Sequence, residues 1–157
     1  MAKVISLVNQ KGGVGKTTTS INLSASLGKL RKKTLLVDLD PQGNTSTGLG
    51  INKADIKGSV YECLNGSMTA KEAIIKTRFT NLYILPATIN LAGIDIELIQ
   101  KTQQDTEFSM NDQLKNVLAP VLEKFDYIII DTPPLGSVID AAVIAQKCDA
   151  SLMVLAS

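Results

Sequence analysis

Short, almost uninterrupted apolar runs that alternate with segments of helical periodicity constrain the fold of this 157-residue chain more than any other feature. A run that is apolar on both faces is typical of a strand in a parallel sheet covered by helices on each side. Five such runs are predicted as strands: Lys3–Asn9, Thr34–Leu39, Leu82–Leu85, Tyr127–Ile130 and Ser151–Leu155. The alternation predicts an α/β fold in which a doubly wound, mostly parallel sheet of about five strands lies between two helical layers, a three-layer α/β/α arrangement.

The segments between these strands are predicted as helices, because their apolar residues recur with helical spacing. Pro120 is expected to kink or break one of them, since proline lacks the amide hydrogen that a helix interior needs. The predicted helices are Thr17–Leu30, Val60–Leu64, Thr69–Lys76, Leu91–Gln103, Met110–Phe125 and Ile139–Gln146. No repeat or linker interrupts the pattern, so a single domain over residues 1–157 is expected.

The composition excludes several classes of chemistry. The chain has no His, which rules out Ser-His-Asp catalysis, Cys-His catalysis and His-ligated zinc. Its two cysteines, Cys63 and Cys148, lie too far apart in sequence for a CxxC motif, and a disulfide framework is not expected. The sequence shows neither a signal peptide nor an apolar run long enough to span a membrane, and it therefore predicts a cytoplasmic protein.

Positive charge is concentrated near the start of the chain. Residues 1–40 carry a net charge of +5 and residues 41–157 carry −4, although the whole chain carries +1. This even overall balance argues against a polybasic surface for DNA or membranes. The asymmetry favours an anionic ligand bound by the first part of the chain.

A glycine-rich loop between the first strand and the first helix is the strongest candidate for that anion site. Its glycines let backbone N–H groups point inward at the start of a helix, where the helix dipole favours phosphate. Lys16 would supply a charge for the β- and γ-phosphates, and the Thr17 hydroxyl would ligate Mg²⁺. The strict GxxxxGK[ST] pattern fails because position 10 is Gln10, and the plainer alternative is a turn without a ligand. The predicted nucleotide-binding residues are Gly12, Gly13, Val14, Gly15, Lys16, Thr17 and Thr18.

Two acidic motifs follow predicted strands. Asp38 lies at the end of the predicted strand Thr34–Leu39 and Asp40 just beyond it, and Asp131 directly follows the predicted strand Tyr127–Ile130. In an open parallel sheet the carboxyl ends of the strands share one edge, so these side chains are expected beside the glycine-rich loop. A carboxylate there orients water for hydrolysis or supports Mg²⁺, whereas the alternative for each Asp near the loop is turn formation or helix capping.

The sequence KGGVGKTT at residues 11–18 resembles the deviant phosphate loop of the ParA and MinD ATPases. The resemblance implies a P-loop NTPase fold that binds ATP and Mg²⁺, and a homodimer in which Lys11 reaches the partner's nucleotide. LVDLDPQGN resembles the switch I segment of the family, which implies that Asp40 positions the attacking water and Asp38 supports the Mg²⁺ site. YIIIDTPP resembles a Walker B strand joined to switch II, which implies that Asp131 holds Mg²⁺ through water.

By this resemblance, the chain is expected to be a Mg-ATP-binding partition ATPase that acts as an ATP-dependent dimer switch in DNA segregation. A ParB-type activator and non-specific DNA are implied as partners by the family alone. The candidate catalytic residues are Lys11, Lys16 and Asp40, and the candidate metal ligands are Thr17, Asp38 and Asp131.

The resemblance to ParA and Soj covers residues 1–100 nearly throughout. Residues 131–157 also resemble the bacterial tyrosine kinases of capsule export, and residues 135–145 carry that likeness. The strand order that the family implies is 82–85, 34–39, 127–130, 3–9, 151–155, with the last strand at an edge. Against the family pattern, the chain is expected to lack the C-terminal third. Two alternatives therefore stand beside the partition ATPase: a capsule-type protein tyrosine kinase, and a truncated or engineered scaffold without catalysis.

Overall fold

The computed structural model of the chain describes residues 1–8, 15–107, 112–133 and 148–155. The strands in these residues are β1 (Lys3–Val8), β2 (Thr34–Asp38), β3 (Ile75–Lys76), β4 (Leu82–Leu85), β5 (Tyr127–Asp131) and β6 (Ala150–Met153). They form one sheet in the order β3-β4-β2-β5-β1-β6. Every neighbouring pair is parallel except β3 with β4.

Helices connect the strands and lie against both faces of the sheet. The described α-helices are α1 (Lys16–Lys29), α2 (Asn44–Gly48), α3 (Val60–Asn65), α4 (Ala70–Ala73), α5 (Ile94–Gln104) and α6 (Gln113–Leu118). Short 3-10 helices cover Lys53–Asp55, Ile89–Gly93 and Ala119–Lys124. In the described ranges, every helix is too short or too polar to cross a membrane.

The central strand β2 shows why its sequence is continuously apolar. Leu35 and Val37 lie in a core that includes residues of α3, α5 and α6, whereas Leu36 lies in a second core against which α1 packs. All three side chains are fully buried. Both faces of the sheet are therefore covered, and the predicted three-layer α/β/α arrangement is confirmed.

The five predicted strands and their order are confirmed, but a sixth strand was not predicted. The prediction of a helix from Thr69 through Lys76 is wrong at its end, because α4 stops at Ala73 and β3 then pairs antiparallel with β4. A capping box between Thr69 and Glu72 starts the helix. Ile74 adopts an extended backbone with ψ of 131°, so pairing with β4 outweighs the helical periodicity at this point.

The single helix predicted over Met110–Phe125 is divided in the structure. The helix α6 ends at Leu118, and a 3-10 helix follows with Pro120 in its first turn, so the expected break at this proline is confirmed. The beginning of that prediction, residues 110 and 111, lies outside the described residues. The predicted helix Ile139–Gln146 lies outside them as well.

Candidate nucleotide and metal site

The predicted site residues meet at the carboxyl ends of the central strands. Asp38 at the end of β2 is the register partner of Asp131 at the end of the neighbouring β5. Thr17, in the first turn of α1, contacts Asp131 although the two residues are 114 positions apart in sequence. An open parallel sheet binds its ligands at the carboxyl ends of its strands.

Asp131 is held by the start of α1. Its Oδ2 accepts a hydrogen bond of 2.9 Å from the Thr17 hydroxyl. The Lys16 Nζ lies 3.8 Å from Asp131 Oδ1 and donates to the main-chain carbonyl of Thr132. Lys16 is only 7% exposed and Asp131 is fully buried. The Lys16 ammonium group and the Thr17 hydroxyl thus both lie at the end of β5.

The Asp131 carboxylate is unfavourably placed in the absence of a ligand. Burial raises the pKa of Asp131 above its ordinary value, and the Lys16 charge and the Thr17 hydroxyl oppose this rise in part. Its Oδ1 is buried and accepts no hydrogen bond from the described residues. An orphaned carboxylate oxygen beside a hydroxyl forms the hard oxygen donor set that Mg²⁺ prefers.

Asp38 has both carboxylate oxygens engaged within the chain. Its Oδ1 accepts a hydrogen bond of 2.9 Å from the Asp40 amide, and its Oδ2 accepts one from the Thr45 hydroxyl. Burial raises the pKa of Asp38 to about 7, and these two hydrogen bonds oppose the rise, while the nearby Asp131 carboxylate adds to it. The geometry therefore places Asp38 beside the candidate metal site as an anchor of the following loop.

Asp40 lies in that loop and is partly exposed. Its Oδ1 accepts a hydrogen bond of 3.0 Å from the Gln42 amide, and its carbonyl accepts one of 2.9 Å from the Gly43 amide. The turn-forming role of Asp40 is thus present in the structure. Gly43 has a left-handed φ of 64° and precedes α2, a short helix that the sequence did not indicate.

The rest of the predicted site is described in part. Residues 11–14, including Lys11, lie outside the described residues, and their roles stay predictions. Gly15 precedes α1 with a left-handed φ of 82°, a conformation that favours glycine, and Thr18 is exposed in the first turn. In the described ranges no group of three or more Cys, Asp and Glu side chains is arranged to hold a metal ion. Thr17 and Asp131 could hold Mg²⁺ through their hydroxyl and carboxylate oxygens, and the role of Asp38 at the metal site stays a prediction.

Two residues of this site were not selected from the sequence. Thr45 donates its hydroxyl to Asp38, and Thr132 offers its carbonyl to Lys16 while its own hydroxyl donates to the Leu7 carbonyl at 2.6 Å. Thr132 stands inside the DTPP motif, which is a signal for it. Thr45 follows DPQGN by one position, but a hydroxyl after a loop carries no distinct signal.

Comparison with known proteins places the chain in a family. A family model described as "AAA domain" matches residues 2–155. The sporulation initiation inhibitor protein Soj of Bacillus subtilis (strain 168) is 45% identical over 157 residues, covering 95% of this chain and 60% of Soj. The chromosome partitioning protein ParA of Myxococcus xanthus (strain DK1622) is 42% identical, covering 95% of this chain and 53% of ParA. The chain thus spans a little over half the length of the relatives it matches.

Solved structures with bound nucleotide share the fold. Cobyrinic acid a,c-diamide synthase from Mycobacterium smegmatis, solved with ADP and magnesium, superposes with a TM-score of 0.87 at 34% identity over 99% of this chain and 60% of its own. The septum site-determining protein MinD from Pyrococcus horikoshii OT3, solved with Mg-ADP, gives 0.77 at 31% identity over 98% of this chain and 58% of its own.

The sheet order, the position of Lys16 and Thr17 at the start of α1, and the acidic strand ends are those of a P-loop ATPase. Within this class, the chain belongs to the ParA, Soj and MinD family.

Proposed function

We propose that the chain binds Mg-ATP at the carboxyl ends of β1, β2 and β5, hydrolyses it, and acts as an ATP-dependent dimer switch in DNA segregation. The observation that carries the proposal is the contact between the Thr17 hydroxyl and the Asp131 carboxylate, with the Lys16 ammonium 3.8 Å from the same carboxylate. A phosphate-binding helix start and a metal-binding strand end meet there, as nucleotide hydrolysis requires.

Phosphate binding falls to Lys16 and to the start of α1. The helix has 14 residues, so its N-terminus presents free amides and the positive end of a helix dipole. The Lys16 ammonium is engaged by the neutral carbonyl of Thr132. A phosphate oxygen would compete for it, because a phosphate carries a full negative charge that attracts the ammonium more strongly than the dipole of a neutral carbonyl does.

Thr17 and Asp131 would hold Mg²⁺, as their oxygen donors and the orphaned Asp131 Oδ1 fit this ion. When bound, the ion supplies neutralisation of phosphate charge. Asp40 is the carboxylate that would orient the attacking water, because it is partly exposed and lies on the loop that follows β2. Lys11 would reach the nucleotide of a second copy, as the family resemblance implies.

Nucleotide binding is tested by titrating the chain with a fluorescent ATP analogue in the presence of Mg²⁺. Lys16→Ala is expected to weaken binding by about tenfold or more, since a charge-assisted contact is lost. Lys29→Ala is the matched control, because Lys29 is exposed at the other end of the same helix. Equal affinity of the Lys16→Ala variant and the parent would contradict the assignment of the phosphate site.

Hydrolysis and dimer formation are tested separately. Asp40→Asn is expected to retain binding of the ATP analogue and to lose phosphate release, because the change removes the carboxylate that would orient water. Light scattering is expected to show a doubled molar mass with ATP for the parent and not for Lys11→Ala. An unchanged mass with ATP would contradict the dimer switch.

The proposed role in DNA segregation is supported by Soj and ParA, which match 95% of this chain. It predicts that ATP increases the affinity of the chain for non-specific DNA and that this affinity falls steeply with salt.

Transfer of radiolabelled phosphate to tyrosine would instead favour the capsule-type kinase. Retained fold with very weak nucleotide affinity would favour the scaffold.

A further inference from the structure

The loop that carries Asp40 is fixed at both ends by one side chain. At its start, the Asp40 amide donates to Asp38 Oδ1 at 2.9 Å. At its end, the Thr45 hydroxyl donates to Asp38 Oδ2. The five residues between Leu39 and Thr45 therefore form a closed ring around the Asp38 carboxylate.

The Thr45 end of this ring is buried. Asp38 and Thr45 are both fully shielded from solvent, so water cannot replace the hydroxyl if it is removed. A hydrogen bond to a buried charged group contributes more than an exposed one, because the unpartnered acceptor keeps its full desolvation cost. The hydrogen bond from the Thr45 hydroxyl therefore restrains the loop more strongly than an exposed hydrogen bond would.

The helix that carries Thr45 is itself fixed to α1. A Cβ added at Gly48 would lie 2.5 Å from the Ile21 Cδ1, so α2 lies in close contact with α1. Leu49, directly after α2, is 1% exposed in the core. A helix of five residues is too short to be stable alone, and these contacts decide its place. Because Lys16 begins α1, the Asp40 loop and the phosphate site share one support.

From this geometry, we propose that Thr45 is a positioning residue for hydrolysis: its hydroxyl, bound to Asp38, holds Asp40 at the distance from Lys16 and Thr17 that the attacking water requires. This inference rests on the proposed ATPase function and adds a residue to it. Thr45 is fully buried and its hydroxyl is bound to Asp38, so direct binding of the nucleotide is not part of this role. Loss of the hydroxyl therefore lowers the rate of the chemical step and leaves nucleotide affinity almost intact.

Three variants test the role of Thr45. Thr45→Val replaces the hydroxyl with a methyl group of similar size, and Thr45→Ser restores the hydroxyl. Thr47→Val makes the same chemical change at an exposed position of the same helix. For Thr45→Val, kcat for ATP is expected to fall by about tenfold or more with KM within about threefold of the parent. Thr45→Ser and Thr47→Val are expected to stay within about threefold of the parent in both constants.

Backbone amide hydrogen exchange of the nucleotide-free chain gives an independent readout. Exchange at the Asp40 and Gln42 amides is expected to speed up in Thr45→Val and not in Thr47→Val, because these amides donate within the ring that Thr45 closes. Thermal unfolding by circular dichroism shows that each variant is folded.

The inference is overturned if Thr45→Val keeps the parental kcat, if KM rises while kcat is unchanged, or if Thr45→Ser is as slow as Thr45→Val. Unchanged exchange at both amides in Thr45→Val also overturns it. A parent chain that binds no nucleotide contradicts the proposed function instead, and the exchange measurement then still decides whether Thr45 holds the loop.

Discussion

Replacing Asp38 with Asn is expected to stabilise the chain when neither nucleotide nor metal is present. The buried Asp38 carboxylate lies beside Asp131, and burial raises its pKa from the ordinary 3.8 to about 7. An amide of the same shape removes the charge. It also keeps both hydrogen bonds, because its oxygen accepts from the Asp40 amide and its NH₂ donates to the Thr45 hydroxyl, which accepts as readily as it donates.

The magnitude follows from the two pKa values. Because the folded chain binds the Asp38 proton more tightly than the unfolded chain, the contribution to stability is complete below 3.8 and is lost as pH rises through about 7. At about 1.4 kcal/mol for each pH unit in this window, about 4 kcal/mol is lost by pH 8. The buried amide has its own desolvation cost of about 1–2 kcal/mol, so we expect a net gain of about 2–3 kcal/mol.

Urea unfolding followed by circular dichroism measures the effect, with EDTA present, at about pH 5 and about pH 8. Asp38→Asn is expected to raise the free energy of unfolding at the higher pH. The advantage is expected to shrink to near zero at the lower pH, because about pH 5 lies near the start of the window from 3.8 to about 7 and only a minor part of the Asp38 contribution has been lost there. Asp55→Asn, at an exposed position, is the control and is expected to stay within about 0.5 kcal/mol of the parent. A gain that does not depend on pH, or a loss at pH 8, would refute the reasoning.

Two further predictions concern packing and thiol chemistry. Gly28→Ala is expected to destabilise the chain by about 1–3 kcal/mol, because its Cβ would lie 2.2 Å from the Thr80 carbonyl oxygen. At Gly93 an added Cβ meets nothing within 4 Å, and Gly93→Ala is expected to stabilise the chain by about 0.4–1 kcal/mol. A urea midpoint that rises for Gly28→Ala or falls for Gly93→Ala would contradict the prediction for that variant. Burial raises the pKa of the Cys63 thiol to about 11, so Cys63 is expected to react slowly with Ellman's reagent. In a Cys148→Ser background, the native chain is expected to react far more slowly than the urea-unfolded chain. Equal rates would disprove this.

The sequence predicted the central strands well because their burial on both faces leaves a continuous apolar signal, as in β2 and β5. The two-residue strand β3 was not predicted. Residues 69–76 carry a capping box and helical spacing, and the strand pairing that overrides them depends on β4, a contact that local periodicity does not report.

Some residues of the candidate site could be predicted from the sequence, and others could not. Lys16, Thr17 and Asp131 were selected from motifs whose side-chain chemistry suits phosphate and metal, and the structure brings them together. Thr45 was not selected, because its importance arises from burial against Asp38 and from the contacts of α2 with α1. Neither property is visible in the order of residue types.

The burial of two carboxylates destabilises the fold and also accounts for the proposed binding of a cation. Asp38 and Asp131 are fully buried on neighbouring strands, their pKa values are raised by that burial, and the Lys16 ammonium lies 3.8 Å from Asp131. An apolar pair at these positions would make a more stable sheet, since burying carboxylates without full compensation destabilises the fold. A cation that neutralises these two carboxylates would stabilise the folded chain, and by more the tighter it binds. Under the proposed function, fold stability and ligand binding would therefore be coupled through the same two carboxylates, and Asp38 also holds the Asp40 loop.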